Sequence, residues 1–177
     1  MGASMEAKSS IPATIRPFRS CDQAACRMLY VEGLIGGKIA DNDTGVDMDD
    51  IETAYMKVPG SHFWVAENAA GEIVGTIGVQ TYDGAGEIRR LRVRADSRRR
   101  GIGSALVETA VKFCQERGYL KVTLDTFMER DPALNLFEKF HFKHEHSRQV
   151  GDKELRYFYL DLYTSDRPRR KKRENGK

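Results

Sequence analysis

The sequence lacks any apolar run near the roughly 18 residues that a membrane-crossing helix requires. Its opening stretch, MGASMEAKSSIPA, has no apolar core of the kind a secretory leader needs. A spanning helix and a cleaved leader are therefore not expected. Cysteine is scarce. Cys21, Cys26 and Cys114 are odd in number and form no CxxC pair, which argues against a disulfide framework, a zinc ribbon and a thioredoxin-type centre. These absences point to a reducing, cytoplasmic compartment. Internal repeats are also missing, which excludes a solenoid.

What is present is the length of one ordinary domain, 177 residues, enough to bury a core without covalent staples. The net charge of +3 is unevenly spread. From Thr164 to Lys177 there are seven Lys/Arg and two acids, so this end carries +5 and the rest carries −2. The body is thus no basic nucleic-acid-binding domain in bulk. The tail has few groups that could join a core, so residues 164–177 are expected to be disordered, as is the polar segment 1–12. Weak contact of the tail with nucleic acid or an acidic surface is one reading. A solvated, solubilising end is the other.

Between these ends the hydrophobic period changes repeatedly. Thr14–Phe18 reads as a strand, and Asp22 is placed to cap a helix that runs to about Val31. A loop rich in glycine and acids follows, with Gly33, Gly36, Gly37, Asp41, Asn42, Asp43, Gly45 and Asp47. Met48–Val58 reads as a second helix, stopped by Pro59-Gly60. His62–Glu67, Glu72–Tyr82 and Glu87–Val93 alternate as a three-strand meander with glycine-containing turns. Leu106, Val107, Ala110, Val111 and Cys114 recur at helical spacing within Gly103–Arg117. A strand over Tyr119–Phe127, a helix opened by Asp131-Pro132, and two late strands joined by Gly151-Asp152 complete a mixed α/β domain.

The chemistry is concentrated in EIRRLRVRADSRRRGIGSA, Glu87 to Ala105. A strand ends, an arginine- and glycine-rich loop follows, and a helix starts at once. Amides in such a loop and first turn have no intrahelical partners, and the helix dipole is positive there. Gly101 and Gly103 admit a close ligand, and Arg98, Arg99 and Arg100 suit phosphate oxygens. The pattern is fitted to a pyrophosphate. It is not G-x-G-x-x-G, because Leu106 stands three residues after Gly103, and it is not a P-loop.

Arg98-x-x-Gly101-x-Gly103 resembles the acyl-CoA pyrophosphate loop, [Q/R]-x-x-G-x-[G/A], of the GCN5-related N-acetyltransferase (GNAT) superfamily. The element order around it resembles that superfamily from Thr14 to Tyr163. The resemblance implies a domain over residues 13–163 with a central, mostly antiparallel sheet, splayed between the fourth and fifth strands and flanked by helices. It implies acetyl-CoA as co-substrate, no metal, and direct transfer to an amine acceptor. The pantetheine arm would pair with the backbone of Leu91, Arg92 and Val93, and the pyrophosphate would sit on the amides of Arg98, Arg99, Arg100, Gly101, Ile102, Gly103 and Ser104. In GCN5-type histone acetyltransferases a glutamate eleven residues before the loop arginine is the general base, and Glu87 has that offset from Arg98. The other reading of Glu87 is an ammonium ligand or a strand end.

The following helix departs from the family text N-x-x-A-x-x-L-Y-x-K-x-G-F. Ala133, Leu136, Lys139 and Phe142 match. Arg130 replaces the asparagine, His141 the glycine, and Phe137 the tyrosine that often protonates the departing thiolate. Three outcomes follow: the thiolate leaves unaided, Tyr157 or Tyr159 replaces the missing hydroxyl, or the chain binds acyl-CoA without catalysis. Tyr159 is the residue carried forward. The histidines His62, His141, His144 and His146 do not make a metal set, although His144 and His146 should share a strand face. The acidic loop favours a cationic acceptor, unless its acids serve as caps. A further likeness, in FWVAE…IVG and LDT, is to the vertebrate cysteine-S-conjugate N-acetyltransferases, which modify an α-amine and carry a membrane segment. The chain is expected to be a monomer or homodimer. The competing reading is a non-catalytic acyl-CoA-binding regulatory module tethered by the basic tail.

Overall fold

Alternating apolar residues build a single sheet in the computed structural model, which describes residues 11–33, 43–127 and 131–163. Its strands are β1 (Ala13–Pro17), β2 (His62–Asn68), β3 (Ile73–Tyr82), β4 (Ala85–Val93), β5 (Lys121–Phe127), β6 (Lys143–Val150) and β7 (Lys153–Asp161). They lie in the order β1-β2-β3-β4-β5-β7-β6, and only the β4–β5 pair is parallel. That parallel pair needs a crossover, and the helix α2 (Ile102–Glu116) supplies it. The tail from Thr164 and the segment before Ile11 lie outside the described residues, as do Gly36, Gly37, Asp41, Asn42 and Arg130.

α2 and α3 (Asp131–Lys139) cover one face of the sheet, and α1 (Gln23–Glu32) covers the other. The apolar stripe of α2, Leu106, Val107, Ala110, Val111 and Cys114, is buried against Trp64, Ile77, Val79, Ile88, Val122 and Leu124. On the α1 face, Cys26 and Tyr30 meet Phe63 and Val65. Burial pushes both core thiols, Cys26 and Cys114, up to about 12, so they are packing groups. A Cβ on Gly86 would lie 2.4 Å from the Cys114 sulfur, so glycine is what lets α2 settle against β4. Among the described residues no helix is long and apolar enough to cross a membrane.

The expected helix over Met48–Val58 is not continuous. A single 3-10 turn at Val46–Met48 is followed by one wide turn at Glu52–Met56, where the Lys57 N–H reaches back five residues to Glu52 at 3.0 Å. Competing bonds explain the break. The Asp50 carboxylate takes the Thr53 N–H, and the Gln23 side chain takes the Ile51 N–H. The segment is shaped to bury Met48, Ile51 and Tyr55. Asp22 precedes α1 but is held elsewhere, by Arg16 at 2.8 and 2.9 Å and by the Arg19 N–H. After α3 the chain turns through His141 in the left-handed region (φ 64°), a conformation that glycine accepts more easily.

Candidate active site

The sheet opens between β4 and β5. Only two rows join them, Gly86 with Val122 and Glu87 with Thr123, and then the strands part. A bulge in β4 marks the cause. Thr76 pairs with Arg92 and Gly78 with Arg89, so Arg90 and Leu91 together face Ile77. Arg90 takes a left-handed backbone (φ 58°), and the Thr76 hydroxyl donates to its carbonyl at 2.8 Å. The extra residue bends β4 out of line with β5.

Arg90 also anchors the loop that borders the opening. Its guanidinium, 6% exposed, forms paired bonds to Asp43 and Asp47, and it stacks 5.0 Å from the Tyr30 ring. The Tyr55 hydroxyl donates to Asp47 at 2.5 Å. The Arg90 hydrogen bonds hold the Asp43 carboxyl down at about 2. Burial acts to raise Asp47, but Arg90 and Tyr55 outweigh it, and its carboxyl lies below the usual value. Asp49 pairs with Arg27 at 3.0 Å, and Asp50 holds Thr53. Among the described residues, the loop acids Asp43, Asp47, Asp49 and Asp50 are thus each engaged within the fold.

Glu87 stands at the vertex of the opening, a third exposed, with Arg89 3.9 Å away. Burial raises its carboxyl above the ordinary range, the charge of Asp125 adds to the rise, and Arg89 opposes it. Register continues the Glu87 row through Thr123 to Tyr159 and Lys143. Tyr159 is thus two strand spacings from Glu87 on the same face, about 10 Å. In the next row Asp125 pairs with Tyr157, whose ring stacks on His146 at 4.3 Å. Asp125 is exposed by surface area, yet the protein around the opening desolvates its carboxyl and raises it.

Beyond the vertex β4 turns backbone groups into the opening. The Arg94 N–H bonds to Val74 on β3, and strand alternation then turns Val93 the opposite way, while Leu91 lies in the bulge. Side chains already cover their carbonyls: Arg98 Nε donates to Val93 at 3.0 Å, and Arg92 donates to Leu91 at 2.9 Å. Arg92 itself pairs with Thr76. The loop then winds through left-handed turns at Arg99 (φ 59°) and Gly101 (φ 84°) into α2. The first α2 bond in the backbone runs from Ala105 to Gly101, so the amides of Ile102, Gly103 and Ser104 precede it. Arg98, Arg99 and Arg100 are exposed, while the Ile102 side chain is buried and offers only its amide. Lys139, from α3, reaches Ser104 Oγ at 3.1 Å and brings a further cation to this glycine turn.

One expectation changes here, that for the His144–His146 pair. Phe137 is a core ring, packed on Phe142 and Phe158. His144 and His146 do not share a face, because a bulge separates them: His144 meets Phe158 and His146 meets Tyr157. His62 packs against Trp64 and Phe113, away from both. No group of three or more His, Cys, Asp or Glu among the described residues could hold a metal. Arg89, Arg90, Asp125 and Lys139 were not singled out for roles by sequence reasoning.

The strand β4, the glycine turn and α2 that border this opening lie within a stretch that matches one family. Residues 36–142 fit the acetyltransferase (GNAT) family. The chain belongs to this GNAT family. Among relatives, N-acetylaspartate synthetase of Xenopus tropicalis is 38% identical over 100 residues, covering 55% of this chain and 36% of that protein. Human N-acetyltransferase 8 is 36% identical over 103 residues, covering 55% of this chain and 45% of that protein. The match thus spans under half the length of either relative. Among solved structures, a GNAT acetyltransferase of Staphylococcus aureus Mu50 superposes with a TM-score of 0.74 at 20% identity, covering 85% of this chain and 99% of that one. A Salmonella typhimurium protein solved with its cofactor acetyl-CoA gives 0.72 at 19% identity, over 89% and 98% of the two chains. These two are likenesses of fold, and they agree with the GNAT sheet described above.

Proposed function

We propose that this GNAT chain transfers an acetyl group from acetyl-CoA directly to the primary amine of a small molecule or peptide. The observation that carries this reading is the vertex at Glu87, a desolvated carboxylate at the foot of an opening whose β4 wall presents Leu91 and Val93 backbone groups. The pantetheine arm would add to that wall as a strand, with main-chain bonds giving the grip. Docking there would draw the Arg98 guanidinium off the Val93 carbonyl and free it for the pyrophosphate, which the amides from Arg98 to Ser104 would hold.

An alkyl ammonium has a pKa of about 10.4 and must lose a proton before it can attack. Glu87 takes that proton, directly or through a water. Its raised carboxyl makes it a better base than an ordinary glutamate. The amine nitrogen bonds to the thioester carbon, the C–S bond breaks, the nitrogen sheds its second proton as the amide forms, and the thiolate takes one up. Tyr159 is the hydroxyl assigned to that last step, because it shares the Glu87 row and Phe137 has no proton to give. The acceptor favoured is a small amine bearing its own carboxylate. Arg89 and Arg148 act on the Asp125 edge of the opening, the loop acids are spent, and one relative is named for N-acetylaspartate. Soluble, tethered or assembled states of the chain play no part in this reading.

The test is thiol release from acetyl-CoA by the purified chain, beside calorimetry of acetyl-CoA alone. The amine panel holds L-aspartate and other α-amino acids, spermidine, glucosamine and a lysine peptide. Binding with amine-dependent release is expected. Binding without release from any amine favours the non-catalytic acyl-CoA module, for which the buried Phe137 ring is the supporting observation. No binding by folded protein removes the cofactor site as described. In the same calorimetry, Lys139→Ala is expected to weaken acetyl-CoA by about tenfold, the worth of one charge-assisted contact. The loss should shrink as salt rises, because Lys139 is a surface cation. An unchanged affinity at low salt would take Lys139 out of the anion site.

A further inference from the structure

Glu87 does not stand alone in the opening. Asp125 follows Thr123 by two residues on β5, so it lies one row beyond the last β4–β5 pair and on the same side of the sheet as Glu87. Continued register sets it opposite Arg89 across the gap, with Tyr157 beside it on β7 and His146 beyond on β6. The charged groups that act on it are Arg89 and Arg90 from β4, Arg148 from β6 and Asp43 from the loop. Among the described residues, no hydrogen bond or ion pair engages its carboxylate. Other acids of the fold behave differently. Asp22, Asp43, Asp47 and Asp49 are each held by an arginine, and Asp50 caps a backbone N–H.

An exposed carboxylate with no partner among the described residues, one row beyond Glu87 where β4 has parted from β5, is open to a cation that enters the gap. We propose that Asp125 binds the ammonium of the acceptor beside Glu87, so that the acceptor enters the opening as a cation and is deprotonated inside it. This rests on the reading of the opening as an acetyl-transfer site.

The division of labour is as follows. The N–H bond breaks with its electron pair staying on nitrogen, and the proton passes to the Glu87 carboxylate. Nitrogen then attacks the thioester carbon and the sulfur departs. Asp125 stays ionised throughout and exchanges no proton. The charge of Asp125 raises the Glu87 carboxyl while Arg89 lowers it, so the pair couples the grip on the cation to the strength of the base.

The test joins carboxyl NMR titration of the intact chain, using methylammonium chloride as probe, to kinetics with whichever panel amine turns over fastest. In the wild type, methylammonium is expected to shift both the Asp125 and Glu87 carboxyl signals. In Asp125→Asn the Glu87 midpoint should fall, because a like charge has gone, and the acid limb of kcat/KM should move to lower pH with it. KM for the amine should rise about tenfold or more, the loss of one charge-assisted bond, with kcat falling much less. Acetyl-CoA affinity should hold, and Asp125→Glu should recover part of the KM. A Glu87 midpoint that does not move, or an Asp125 signal indifferent to methylammonium, overturns the proposal. If the wild type binds acetyl-CoA but releases no thiol, the acetyl-transfer reading fails by itself. The two NMR measurements still decide for or against Asp125 in that case.

Discussion

Arg90→Met is expected to lower stability by about 3 kcal/mol, because it strips the counter-ion from two half-buried carboxylates held side by side. At roughly 2–4 °C per kcal/mol for a chain of this size, the melting temperature should fall by about 10 °C. The geometry makes the loss large. Arg90 is almost wholly buried, its fork engages Asp43 and Asp47 at once, and Tyr30 and Tyr55 close the cluster. The pH dependence has a definite sign. In the wild type the Arg90 bonds depress Asp43 to about 2, so its contribution is complete above the ordinary carboxylate range and is lost as pH falls through about 2. In Arg90→Met the same carboxyls should be raised instead, so the variant regains stability as pH falls through those raised values and its deficit is already narrowed at about pH 4. Adding Asp43→Asn and Asp47→Asn should recover most of the loss at neutral pH. Thermal melts of the three proteins at pH 7 and pH 4 measure this, and a shift below about 2 °C in Arg90→Met would show that the cluster is not a stabilising unit.

Glu87→Gln should cut kcat/KM at neutral pH by at least about tenfold, within the roughly 10²–10⁴-fold span of general-base catalysis. Acetyl-CoA affinity should stay where it was, because the cofactor groups lie beyond the vertex. The raised carboxyl places the acid limb of the wild-type profile above the ordinary glutamate range, and the glutamine variant should have no such limb. Stability moves the other way. A carboxyl raised by burial favours the fold below its unfolded pKa, and that benefit is lost as pH rises through the folded value. Glu87→Gln should therefore melt no lower than the wild type at pH 7, which separates lost chemistry from lost structure. Unchanged turnover would remove Glu87 from the mechanism.

Much of this was written in the sequence, because strands and helices announce themselves by period. The α2 stripe and the glycine turn before it were legible, since backbone constraints act locally. The Met48–Val58 segment was misread because side-chain bonds from Gln23 and Asp50 rerouted its backbone, and one of those comes from far along the chain. The roles of the loop acids were equally hidden. Asp43 and Asp47 look like solvent-facing charges until Arg90 is brought over them from more than forty residues away. Yet the bulge had left a mark. In EIRRLRV the alternation of polar and apolar residues slips by one at Arg89-Arg90, where the structure inserts its extra residue. Asp125 left one too, as a charge on the polar face of KVTLDTF, a strand that turned out to be central. The His144–Glu145–His146 bulge had no such mark, because every residue around it is polar.

The two rows that join β4 to β5 also make the sheet mechanically uneven. β1 to β4 form one leaf and β5, β7 and β6 another, with Gly86 and Glu87 as the hinge pin and α2 as the brace across it. A cofactor bonded to β4 along Leu91 and Val93, as proposed above, would fill the angle between the leaves and act as a splint, so loading it should stiffen the sheet at the seam that only two rows hold together.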